Sequence, residues 1–136
     1  MLDNPHQIVA GVVLLTVIGI AYGGTFLLRV FRGAVPTNDL QKSFFRAGHA
    51  HAGVLVILGL LTLLYMQLNQ VGQPWSALSS GVLAAAVLMP AGFFLSVIGA
   101  NPQRPNRLIG LLWSGAACLT VGLASAGIGL IAAGVG

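Results

Sequence analysis

Acidic side chains are almost absent from this chain of 136 residues. It contains no glutamate, and its two carboxylates, Asp3 and Asp39, both lie outside the apolar segments. Catalysis by paired carboxylates and metal cages built from carboxylates therefore lack the residues that they need. The same shortage argues against a membrane proton relay built on buried acids.

Cysteine and the common catalytic motifs are equally scarce. The single cysteine, Cys118, lies in the middle of an apolar run, so it supports neither a disulfide framework nor a CxxC metal or redox site. The sequence has no GxxxxGKS/T, HExxH or GxSxG pattern, and it therefore offers no basis for nucleotide hydrolysis or for the commoner hydrolase mechanisms. No catalytic residue is assigned, and the sequence favours a protein that is not an enzyme.

What the chain does contain is apolar residues. Charged residues make up only 6% of it, against roughly 25% in soluble domains, so its surface is suited to lipid and not to water. Four apolar runs reach the ~20 residues that a spanning helix needs. They cover residues 8–30, 47–69, 77–100 and 108–133. Because short connections make neighbouring helices antiparallel, we predict an all-α integral membrane protein, a single transmembrane domain over 1–136 folded as an up-down four-helix bundle.

The basic side chains fall in or beside two of the three connections. The first connection carries Arg29, Arg32, Lys42 and Arg46, and the third carries Arg104 and Arg107. Since cytoplasmic loops are enriched in Lys and Arg, we predict that both face the cytoplasm, with the two termini and the second connection outside. We expect the protein to lie in the plasma membrane of a bacterium. We also expect the first helix to be retained and not cleaved as a signal peptide, because an acidic residue and not a basic region precedes it. The net charge of +4 then reflects the placement of basic residues beside membrane spans, and we expect no nucleic-acid partner.

Small residues recur at helical spacing in the first and last segments. Gly19 and Gly23 form a GxxxG step. The last segment carries Gly122, Ser125, Ala126, Gly129 and Ala133. Such steps favour close helix packing and could leave surfaces for a neighbouring protomer, although glycine and alanine are also simply common in membrane helices. Pro90 should kink the third helix.

The densest group of polar residues, 42–53, comes at the start of the second segment. On a helix, His49 and His51 are about 200° apart and cannot chelate one metal together, whereas Arg46 shares a face with His49. One histidine could face the bundle as a ligand or proton-transfer group, with Arg46 as an anion clamp. Alternatively, both histidines lie at headgroup depth and bind backbone, lipid or water. If a metal binds at all, His49 or His51 is the candidate ligand.

A heme site is disfavoured by the same topology. Two axial histidines would have to lie at a similar depth on different helices. The third histidine, His6, belongs to the outer side, whereas His49 and His51 lie near the cytoplasmic side. A heme held by two histidines is therefore not expected within one chain, whereas a site between protomers or with a single histidine ligand stays open, and no cofactor is assigned.

Two stretches resemble the MAPEG family, the membrane-associated proteins in eicosanoid and glutathione metabolism. Residues 44–53, FFRAGHAHAG, are similar to the second-helix signature F-x-R-A-x-R-A-H-x-N-x-x-E, and residues 98–110 to the link between its third and fourth helices. The matching positions are Phe44, Arg46, Ala47, Ala50 and His51. The resemblance implies a homotrimer with a cytoplasmic-side cleft between protomers that is lined by cations and open to the bilayer.

Four positions depart from that family's pattern. His49 stands in place of the second Arg, Gly53 in place of Asn, Val56 in place of Glu, and Ala100 in place of Tyr. In the family these residues hold glutathione. We therefore do not expect glutathione chemistry from this chain, even if the trimeric fold is kept.

The sequence is compatible with three functions. The first is a MAPEG-like, homo-oligomeric protein whose cationic cleft binds an amphipathic anion or a lipid headgroup. The candidate residues for that cleft are Arg32, Arg46, His49, His51, Arg104 and Arg107. The second is a non-enzymatic accessory or assembly subunit of a larger membrane complex, and the third is a histidine-dependent metal or proton transporter. The simplest alternative is that the charges only enforce topology and touch headgroups without specificity.

Overall fold

The computed structural model describes residues 4–135, and within them the chain is helical without strands. Asp3 lies outside the described residues. The helices are α1 (Asn4–Phe31), α2 (Asp39–Leu68), α3 (Trp75–Ser79), α4 (Gly81–Leu95) and α5 (Ile109–Val135). The helices α3 and α4 follow each other with a break at Ser80 and together form the third span. The described chain thus has four helices long and apolar enough to cross a membrane, which confirms the all-α membrane fold.

The second helix begins well before the predicted boundary at residue 47. Asn38 is its N-cap: the Asn38 side chain accepts a hydrogen bond from the Gln41 backbone N–H, and the Gln41 side chain accepts one from the Asn38 backbone N–H. This capping box satisfies two backbone donors at the helix start and fixes the start at Asp39. Counting apolar residues missed these first two turns because most of their residues are polar or charged. The first helix likewise starts at Asn4 and not at residue 8.

The third span ends at Leu95 and not at residue 100, so the third connection is longer than predicted. Asn106 folds back over the end of α4: its backbone N–H donates to the Ser96 carbonyl at 2.7 Å, and its side-chain amide donates to the Leu95 carbonyl at 3.0 Å. These bonds occupy carbonyls that another helical turn would have used. The helix continues through Pro90, which lies buried inside α4.

The helix α5 packs closely on the third span through glycines spaced seven residues apart. Gly115, Gly122 and Gly129 are all buried. A Cβ at Gly115 would lie 2.6 Å from the Met89 Cγ, and one at Gly129 would lie 2.7 Å from the Trp75 Cβ. The predicted close packing of the last helix is therefore confirmed. Its partner, however, is the chain's own third span, so most of this stripe is not left for a neighbouring protomer.

The first helix lies at the edge of the bundle, where its main contact is with α2. No residue in its most apolar window is buried. Gly19 has open space around it, and Gly23 faces the His49 ring. Most of the α1 surface is consequently apolar and directed away from the protein, as expected for a helix that is solvated by lipid.

We predict that Gly122→Ala destabilises the fold. The added methyl group would lie 2.7 Å from the Val82 backbone nitrogen, so α4 and α5 would have to move apart. Overpacking of this kind costs about 1–3 kcal/mol. Thermal unfolding in detergent, followed by circular dichroism, should show a lower midpoint than for the wild type.

Gly127→Ala is the matched control on the same helix, because nothing lies within 4 Å of the position that its Cβ would take. This variant should unfold at the wild-type temperature or slightly above it. Equal shifts for the two variants would contradict the importance of the seam.

Candidate functional site

Two side-chain amides hold the first and third connections together. Gln41 is 5% exposed, and its amide nitrogen donates to the carbonyls of Val97 at 3.1 Å and Gly99 at 3.0 Å. The Asn38 amide donates to the Asn101 side chain at 3.0 Å and to the Pro102 carbonyl at 2.7 Å. Residues 32–38 and 96–108 therefore lie at one end of the helices, which we call the basic end.

A groove opens at the basic end, between the last turns of α1 and the first turns of α2. It has a volume of about 460 Å³. Its lining consists of Leu27, Leu28, Val30, Phe31, Lys42 and Arg46. Lys42 and Arg46 are four residues apart on α2 and thus share a helix face. We call this feature, two cations set against an apolar wall, the basic groove.

The cations of the basic end have little negative charge within the chain to pair with. In the described part of the sequence there is one ion pair, between the Lys42 Nζ and an Asp39 carboxylate oxygen at 3.5 Å. Both side chains are well exposed, so this pair contributes little. The Arg46 guanidinium makes no hydrogen bond or ion pair with residues 4–135, so its five N–H donors remain available for an external anion.

The two neighbouring histidines point to different helices, as their spacing predicted. The His51 Nδ1 lies 2.7 Å from the Ala47 carbonyl oxygen, and its ring centroid is 4.9 Å from that of Phe93 on α4. The His49 ring instead lies against Gly23 and Gly24 of α1. His51 is therefore fixed by its own helix and by α4, whereas His49 belongs to the α1–α2 contact that continues from the basic groove.

The third histidine is at the opposite end of the helices. The Nε2 atom of His6 lies 3.2 Å from the amide nitrogen of Gln67, near the end of α2. Across residues 4–135, no group of three His, Cys, Asp or Glu side chains could hold a metal ion.

The basic groove brings together only part of the predicted cationic cluster. Arg46 lines it, while Arg32, Arg104 and Arg107 are exposed at the same end without lining it. Lys42 does line it and was not among the predicted site residues. Its spacing of four residues from Arg46 was the available signal, but the predicted helix start at residue 47 placed both in a connection.

The positions at which the MAPEG resemblance departs from its pattern lie in different surroundings. Val56 is 6% exposed and packs in the apolar core with Ala85 and Met89. Ala100 is exposed in the third connection, and His49 faces α1. None of these three residues places a polar side chain in the apolar core around Val56.

The fold defines a small all-α protein with four helices long and apolar enough to cross a membrane, and the basic groove lies at one end of these helices. Comparison of the chain with protein-family models, with curated proteins and with solved structures gives no match.

We predict that Gln41→Glu destabilises the basic end. The change keeps the size of the side chain and the acceptor for the Asn38 N–H, but it places a carboxylate oxygen opposite the Val97 and Gly99 carbonyls. The Val97 and Gly99 carbonyls would both lose their donor, at a cost of about 1–3 kcal/mol for the buried Val97 carbonyl. Thermal unfolding in detergent at neutral pH should show a clear fall in the midpoint.

Gln103→Glu introduces the same charge into the third connection, where Gln103 is exposed and donates one hydrogen bond to the Asn101 carbonyl. It should leave stability close to that of the wild type. If both variants unfold at the same temperature, Gln41 does not hold the two connections together.

Proposed function

We propose that this protein binds an amphipathic anion in the basic groove, with the anionic headgroup on Lys42 and Arg46. The hydrocarbon part would lie against Leu27, Leu28 and Phe31, which form the apolar wall of the same groove. The observation that carries the proposal is this combination of two cations and an apolar wall in one groove that faces outward from the bundle.

The chemistry of the two cations suits a phosphate or carboxylate headgroup. A guanidinium presents a planar fork of N–H donors that matches these anions, and Lys42 adds a second positive charge one turn away. Hydrogen bonds to charged groups contribute about 1.5–3 kcal/mol each. Asp39 is the only carboxylate among residues 4–135, so the chain competes only weakly with an external anion for these donors.

The proposal places the basic end on the cytoplasmic side, following the bias of Lys and Arg toward cytoplasmic connections. The cytoplasmic leaflet is rich in anionic lipids in many membranes and attracts basic segments next to the bilayer. A ligand could therefore reach the basic groove by lateral diffusion in that leaflet.

The assembly that we propose is a MAPEG-like homotrimer. Support comes from the sequence resemblance and from α1, which leaves most of its surface without protein contact in the described chain. Glutathione chemistry is not part of the proposal, because Gly53, Val56 and Ala100 cannot supply the polar side chains that hold glutathione in that family.

We predict that Arg46→Gln lowers the affinity for hexadecyl phosphate by about 10- to 150-fold, the equivalent of one lost charge-assisted interaction. Lys42→Gln should have a smaller effect, since Lys42 already lies 3.5 Å from Asp39. Isothermal titration of the protein in neutral detergent micelles measures both affinities.

Arg107→Gln provides the control, because it removes one positive charge from the same end without touching the basic groove. Its affinity should stay within about twofold of the wild type, as expected for a screened, distant charge. An equal loss in all three variants would show that only net charge matters, and the groove would then not be the site.

We predict that native mass spectrometry of the protein, released from membranes in mild detergent, shows three copies of the 13.9 kDa chain with bound lipid. A monomer without retained lipid would contradict the trimer. A stable complex with a different protein would support an accessory subunit in its place.

A further inference from the structure

Three nitrogen-bearing side chains follow one another along the α1-facing side of α2. Lys42, Arg46 and His49 occupy positions i, i+4 and i+7, which fall on one helix face. Lys42 and Arg46 line the basic groove, and the His49 ring lies against Gly24, one turn before the groove residue Leu27 on α1. His49 therefore stands about 4.5 Å deeper along the helix axis than Arg46, from three residues of helical rise.

The imidazole of His49 is available for an external hydrogen bond. It forms none with residues 4–135, although the side chain is half-buried. Every buried side-chain nitrogen or oxygen in the described chain has a partner, so neither ring nitrogen of the unpartnered His49 is fully buried. His51 differs in this respect, since its Nδ1 is engaged by the Ala47 carbonyl.

Glycines on α1 and α2 leave space around the His49 ring. The positions that a Cβ would take at Gly23 and Gly24 lie 3.8 Å from the Nδ1 atom and 3.6 Å from the Nε2 atom of His49, which is ordinary van der Waals contact. One turn deeper on α2, Gly53 has nothing within 4 Å of its own Cβ position. The contact between α1 and α2 thus continues from the groove to the His49 ring, and Gly53 leaves the next turn of α2 uncovered.

A polar group at this depth in lipid is costly unless the ligand supplies its partner. An alkyl phosphate or a fatty acid places only methylene groups one helical turn below its anion. A glycerophospholipid places the ester oxygens or the free hydroxyl of its glycerol there, only a few bonds from the phosphate. Its chemistry therefore matches both the cations and the deeper imidazole.

We propose that the ligands of the basic groove are glycerophospholipids and that His49 selects them by hydrogen bonding to the glycerol ester or hydroxyl. This inference rests on the proposed binding of an amphipathic anion at Lys42 and Arg46. His49 contributes specificity, since a site built around a polar group disfavours a ligand that leaves that group unpaired.

The test compares two ligands with the same chain length, hexadecanoyl lysophosphatidate and hexadecyl phosphate, titrated into the protein in neutral detergent micelles. The wild type should prefer lysophosphatidate by about 3- to 10-fold, the effect of one hydrogen bond. His49→Ala should abolish the preference by weakening lysophosphatidate alone, and His49→Gln, which restores a donor and an acceptor, should recover most of it. His51→Gln, on the other face, should keep the wild-type preference.

Two results with the His49 variants would overturn the inference. One is a preference that persists in His49→Ala. The other is an equal weakening of the binding of both ligands in His49→Ala and His49→Gln, which would mean that the ring only packs against α1.

Glycerol 3-phosphate, which has no hydrocarbon, should not displace lysophosphatidate at matched concentration. Equal competition would identify a soluble phosphate ester as the ligand. If Arg46→Gln lowers both affinities while His49 has no influence on preference, the anion site stands and only the selectivity fails.

Discussion

The close approach of α5 to the third span is the contact on which the remaining packing depends. In lipid, apolar side chains gain little by leaving one apolar environment for another, so helices associate where their backbones can come near. Glycines on α5 permit this approach, and they have seven-residue spacing because every second turn faces the same neighbour. With the two spans held together, the other side of α4 is free to form the core with Leu55 and Val56 of α2.

Hydrogen bonds then fix what packing leaves undetermined. Apolar helices can slide and rotate against each other at small cost, but the buried Gln41 amide has to find its acceptors in the third connection. That requirement sets the depth of the first turns of α2 relative to the end of α4. Gly99 supports the arrangement with a φ of +118°, which side-chain-bearing residues rarely adopt, so that its carbonyl can face Gln41. The position of Arg46 at the groove follows from the same constraint.

The sequence predicted the four spans and the common end of the basic residues, because bilayer thickness and charge distribution constrain both directly. It also predicted that His49 and His51 face different helices, since this depends only on helical periodicity. The helix ends were predicted less well: α2 starts at a polar cap, Asn38, and the third span ends where Asn106 folds back over it. Lys42 was missed because the groove depends on that early start, which apolar content does not reveal.

The peripheral position of α1 explains why the basic groove is open on one side. The groove has walls only from α1 and α2, because α1 packs mainly on α2, and a closed cavity would need a third helix. On the proposed function, an amphiphile would enter the groove sideways without leaving the bilayer. A ligand bound there would also touch both helices at the end where Val30 and Leu27 of α1 pack against Phe45 of α2. A ligand that binds better when α1 is docked onto α2 stabilises that docking by linkage. Ligand affinity and the docking of α1 should therefore change together in variants of the Gly23–His49 contact.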